Sequence, residues 1–159
     1  MSVLPYITAH VLPAALAWLP PEMDSPAARA MLVAIGWQES RFEARIQMGG
    51  PARGFWQFES GGVRAVLGPA QTRQAVAASI GAMGYPAMPT LTPFFIYDVI
   101  GHNDVLAATC ARLLLWNVPE PLPEAHQRDE GWRQYVKAWN PGRPRPESWA
   151  EAWRIGWSH

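Results

Sequence analysis

Apolar residues recur along this chain at three- and four-residue intervals, in short runs cut by proline and glycine, and alternation at every second position is scarce. In "DSPAARAMLVAIGWQESRF", Met31, Leu32, Ile35 and Phe42 follow helical spacing, with Ser25 placed to cap the start and Pro26 at the first helical position. "ARIQMGGPARG" reads as a loop, and "GFWQFESGGVRAVLG" predicts a short helix, a break at Gly61-Gly62 and a second short helix. Thr72 caps a further helix over 72–83. The longest pattern, 92–116, opens on a Thr-Pro cap and is apolar on nearly all sides, which predicts one central buried helix. A proline-rich loop over 118–123 precedes "EGWRQYVKAWNPG" and "PESWAEAWRIGW", where Trp149, Trp153 and Trp157 form a helix docking face. The expectation is an all-α fold, one domain over 1–159, with at most a short hairpin.

The N-terminal run "MSVLPYITAHVLPAALAWLPPEMD" is apolar, but it holds four prolines and His10, and no Lys or Arg precedes Arg29. That pattern fits a packed amphipathic helix rather than an export signal or a membrane span. The bulk numbers agree with a packed core: 49% of residues are hydrophobic and 16% charged. Charges balance at 13 basic and 13 acidic with no block of one sign, so nothing points to nucleic acid or an anionic membrane. The one cysteine, Cys110, sits in an apolar helical pattern and reads as a buried structural thiol.

Zinc, nucleotide and dinucleotide motifs are missing, so no metal or cofactor is expected. What remains is a carboxylate in unusual company. Glu39 follows Gly36-Trp37-Gln38 at the C-terminal end of a mostly apolar helix. The negative helix end and burial both disfavour its charged form and raise its pKa. A carboxylic acid that keeps its proton near neutrality suits general-acid cleavage of a glycosidic bond. The plain alternative is a surface carboxylate paired with Arg41 or Arg45. "ARGFWQF" adds Gln57, an amide able to donate to and accept from a sugar, flanked by Trp56 and Phe58, of which one stacks on a sugar while the other packs inward. "YVKAWNPG" adds Asn140 at a helix end.

The order Glu-Ser, Gly-x-x-Gln, Ala-aromatic-Asn-x-Gly resembles the lytic transglycosylase and goose-type lysozyme superfamily over residues 30–142. The resemblance implies a lysozyme-like helical domain that cleaves the β-1,4 bond between N-acetylmuramic acid and N-acetylglucosamine in peptidoglycan. It assigns Glu39 as the catalytic acid, Ser40 as the serine that follows it, and Gly54 and Gln57 as cleft residues. Ala138, Trp139, Asn140 and Gly142 stand on the family's Ala-Tyr-Asn-x-Gly. Trp139 lacks the tyrosine's hydroxyl, and Tyr135, one helical turn earlier, is a replacement on i, i+4 geometry. The expected substrate-binding set is therefore Ser40, Gly54, Trp56, Gln57, Tyr135, Trp139 and Asn140.

A transglycosylase needs no second carboxylate, whereas an inverting hydrolase holds a water on one; Glu59 and Glu43 are the candidates, with ion-paired or solvated surface as their plainer role. Asp98, His102 and Asp104 read as buried polar partners first and cleft residues second. The expected partner is the glycan strand, with no nucleic acid and no stable membrane insertion. A chain without an export signal fits a phage-encoded lysis or virion protein acting on the wall in the periplasm. A non-catalytic protein that keeps the fold to bind glycan or to build a virion is the competing class.

Overall fold

The structure is a computed structural model and describes residues 2–86 and 91–159. Helices α1 (Leu4–Tyr6) and α2 (Leu12–Ala17) are joined by a π-helical stretch over Ile7–Val11. Pro13 has no N–H to give the preceding turn, and a local widening is one way a helix absorbs that loss. Leu4, Ile7, Val11, Leu12, Ala15 and Leu16 are buried on one side, and Tyr6 and Trp18 are exposed. The N-terminal run is thus a packed amphipathic helix. Among the described residues, no helix is long and apolar enough to cross a membrane.

After a 3-10 turn at Pro21–Met23 comes α3 (Pro26–Ser40). Ser25 caps it as its spacing predicts, its Oγ accepting from Ala28 N at 3.0 Å. Then follow α4 (Ser60–Leu67), α5 (Ala70–Ala82), α6 (Pro93–Ile100), α7 (Asp104–Trp116), α8 (Arg128–Trp139) and α9 (Pro146–Gly156). Among the described residues there is no strand, only two isolated antiparallel bridges, Ile46 with Arg53 and Arg53 with Phe58. The fold is all-α.

Three predicted elements differ. The 92–116 pattern is two helices: the first ends at Ile100 with Gly101 as its C-cap, and Asn103 caps the second, its Oδ1 accepting from Leu106 N at 2.9 Å. The central buried helix is α7 alone, with residues 106–115 all buried, and it contacts α2, α3, α4, α5, α6 and α8. Residues 54–59 form a tight turn instead of a short helix, while Gly61 and Gly62 lie inside α4 instead of breaking it. Thr72 is not a cap; α5 starts earlier, and the Thr72 hydroxyl donates to Val66 O at 2.5 Å from inside the core.

Among the described residues, α3 and α9 form the most extensive helix pairing. A Cβ on Gly156 would lie 2.4 Å from Ala30 O, so glycine is what lets the two backbones approach. Trp149 and Trp153 dock instead on α8 and the chain leading into it, buried, their indole N–H groups donating to Arg128 O and Ala125 O. Cys110 is fully buried, and burial pushes its thiol up to about 12.

Candidate active site

Helix α3 ends abruptly. Arg41 and Phe42 both take left-handed backbone, with φ of 52° and 56°, which throws the Phe42 ring back under the helix. There the ring occupies the space a side chain on Gly36 would need: a Cβ would sit 2.3 Å from Phe42 Cζ. Two left-handed non-glycine residues cost about 1–3 kcal/mol each, and burial of the Phe42 ring against Phe55 and Trp56 offsets that strain. Glu39 is carried on this fixed helix end. It pairs with neither Arg41 nor Arg45: Arg41 reaches Glu151, and Arg45 binds buried Asp104 through two 2.8 Å contacts.

The Glu39 carboxylate is partly buried, and the Tyr135 hydroxyl donates to its Oε1 at 2.6 Å. Tyr135 is held by its ring, which stacks on Trp149 with centroids 5.3 Å apart and planes 8° from parallel. Burial raises Glu39 from 4.5 to about 6, against the Tyr135 hydrogen bond and the charge of Arg145, which lower it, and with a smaller push upward from Glu59. The Tyr135 phenol is itself driven above its ordinary value by burial and by the carboxylate it touches.

Facing Glu39 is a groove of about 910 Å³. Gln57 and Asn140, 83 residues apart in sequence, line it together with Glu39 and Glu59. The turn that presents Gln57 requires Gly54, which has φ +72° and whose Cβ would meet Ile100 Cγ2 at 2.9 Å. Gln57 is itself left-handed, φ 50°, and its Nε2 donates back to Gly54 O at 2.9 Å, which turns the amide oxygen to other partners. Asn140 caps α8 in the left-handed region, φ 45°. Trp139 lines the groove, packs against Phe58, and donates from its indole to Trp56 O at 2.9 Å, so it braces the Gln57 turn.

The remaining expected site residues lie behind that wall. Trp56 is fully buried with its indole spent on Leu32 O, and Phe58, although it lines the groove, is only 2% exposed, so neither ring is free to stack on a sugar. Ser40 donates to Phe55 O at 2.7 Å and accepts from Phe42 N, which makes it a brace for the chain reversal. Gly54 and Tyr135 act through backbone shape and through Glu39. Glu43 is exposed and off the groove, because α3 stops at Ser40 before a further turn can place it below Glu39. Asp98 and His102 are exposed, and Asp104 alone of that trio is a buried partner.

Two arginines on the groove were not singled out by the sequence reading. Arg145 Nη2 donates to Gln38 O, while Gln38 Nε2 donates to Arg145 O at 2.9 Å. Ser148 closes this latch by donating to Gln38 Oε1. The available signal was "PGRPRP", where Arg143 and Arg145 lie between prolines and a glycine that keep the segment out of a helix until Pro146 opens α9. Among the described residues, no group of three or more His, Cys, Asp or Glu is placed to hold a metal ion. Comparison with protein-family models, with curated proteins and with solved structures finds no match to any of the three.

Proposed function

We propose that this protein cleaves peptidoglycan glycan strands as a lytic transglycosylase, with Glu39 as general acid and then general base. The observation that carries the reading is the Glu39 carboxylate, lifted to about 6 by burial, on a groove shared with Gln57 and Asn140. A group with that pKa holds a proton often enough to donate and releases it easily enough to take one back. Glu39 protonates the oxygen between N-acetylmuramic acid and N-acetylglucosamine as the anomeric C–O bond breaks. It then withdraws the proton of the muramic C6 hydroxyl, whose oxygen closes on the anomeric carbon to give a 1,6-anhydro end, with no water consumed. Gln57 and Asn140 supply amide contacts to the sugars, and Trp139 an apolar wall.

Glu59 supports a second reading, a hydrolase, because it lies on the same groove and its charge reaches Glu39. A non-catalytic glycan-binding or virion structural protein is the remaining class. Zymography on purified cell wall tests the proposal. Clearing by the wild type and none by Glu39→Gln is the expected result; equal clearing by both, or none by either, overturns it. Action from a phage particle or at lysis belongs to the same proposal.

A further inference from the structure

Arg112, on the central helix, is 2% exposed, yet it has no ion-pair partner within 4 Å among the described residues. Its Nε donates to Met23 O at 2.7 Å, its guanidinium carbon lies 5.3 Å from the centre of the Trp116 ring, and its Nη1 is buried without a partner among the described residues. Asp24, whose charge reaches Arg112, is taken by Arg29 through both carboxylate oxygens at 2.8 Å. Leaving a buried guanidinium with one carbonyl bond is costly, and a bound carboxylate would relieve it. Burial does lower the Arg112 pKa, but only to about 10, so the group stays charged at neutral pH.

Arg112 lines a second cavity, of about 450 Å³, that shares no residue with the groove. That volume suits a ligand of a few residues. Ser25 and Ala27 bring the positive N-terminal end of the 15-residue α3 to the same cavity. Leu115, Trp116, Val118 and Leu122 supply apolar wall. The mouth has the opposite sign. Glu22 and Glu124 are exposed there, and Glu120, also on the cavity, is already bound by Arg133 and Lys137. A simple anion would be drawn to the floor and repelled at the mouth, whereas a molecule carrying both charges satisfies each end.

We infer that this cavity binds the C-terminal end of a short peptide, with the free carboxylate on Arg112, small apolar residues along Leu115 and Leu122, and a basic group against Glu22 and Glu124. Calorimetric or NMR titration with the tripeptide Lys-Ala-Ala, its C-terminal amide, and Glu-Ala-Ala tests this on the intact protein. The free acid is expected to bind, the amide at least about tenfold more weakly through loss of a charged hydrogen bond, and Glu-Ala-Ala about two- to threefold more weakly through the exposed mouth charges. Arg112→Met is expected to abolish binding of the free acid. The comparison of acid with amide needs only the wild type, so it decides the matter even where that variant folds poorly. Equal binding of acid and amide, or no binding of Lys-Ala-Ala at millimolar concentration, overturns the inference.

Discussion

The Tyr135 hydroxyl donates to Glu39 Oε1 at 2.6 Å, and the phenol cannot turn away because its ring lies stacked on Trp149. This bond favours the charged carboxylate and so works against burial, which is the larger effect. Tyr135→Phe keeps the stack and removes only the bond. Glu39 should then titrate above its present value of about 6, and the alkaline limb of the cleavage profile should move up with it. Carboxyl-carbon NMR titration reads the first and the pH–rate profile the second. An unchanged Glu39 titration would mean that the hydroxyl has no part in setting the acid.

Glu39 also makes stability depend on pH. Its folded value, about 6, lies above its unfolded value of 4.5. Below pH 4.5 the group is neutral in both states and carries no penalty; above 6 it is charged in both, and the folded state bears the full desolvation cost. Wild-type stability therefore falls as pH rises through that window, by about 2 kcal/mol at most. Glu39→Gln has no such window. Denaturant melts of both proteins at pH 4 and pH 7.5 should show the glutamine variant gaining on the wild type at the higher pH. A pH-independent difference would contradict the shift.

Gly54 and Gly81 should respond to alanine in opposite directions. At Gly54 a methyl group meets Ile100 Cγ2 and O, at 2.9 and 3.1 Å, on backbone of positive φ. Gly54→Ala should lose about 2 kcal/mol or more and weaken cleavage by displacing Gln57. Gly81 lies within α5 with nothing within 4 Å of its added Cβ. Gly81→Ala should gain about 0.5–1 kcal/mol from helix propensity alone. Thermal melts of the pair check both.

Product chemistry separates the two enzymatic readings. Mass spectrometry of digested peptidoglycan should show muramic ends lighter by one water than hydrolysed ones, with Glu59→Gln giving the same product at a rate within about threefold, the size expected for an exposed charge. Reducing ends alone, with Glu59→Gln inactive, would make the protein a lysozyme.

Much of this architecture is legible in the sequence where a local signal and a long-range contact agree. Ser25 and Pro26 announce α3, and the spacing of Trp149 and Trp153 announces the face of α9 that docks on α8. Signals fail where one residue type serves two purposes. Asn103 sits in an apolar stretch that continues on both sides, so its capping role is invisible until its side chain is seen turned onto Leu106 N. The turn at 54–59 looks helical by composition because its aromatics are needed by the core, while its shape depends on the positive φ of Gly54 and Gln57. The Glu39, Gln57 and Asn140 motifs are readable as residue types, and their shared groove follows from packing of α3, α8 and the turn between distant segments. The Gln38–Arg145 latch is the reverse case: nothing in either residue's neighbourhood hints at a partner 107 positions away.

The reversed chain after Ser40 has a consequence for how this protein can vary. Beyond Phe42 the backbone leaves the core for an exposed loop, and it returns where Gly54 N donates to Arg45 O and Arg53 pairs with Phe58. The stem is closed from below by the Arg45–Asp104 pair, and the tip around 48–50 touches little beyond itself. The acid-bearing helix end is fixed by Phe42 and Ser40, and the Gln57 turn by Gly54, so neither depends on how long that tip is. Residues inserted at the tip would lengthen one bank of the groove, beside Gln47 and Ala52, without moving Glu39. On the proposed activity, the loop is thus a place where substrate reach can diverge, or be engineered, without disturbing Glu39.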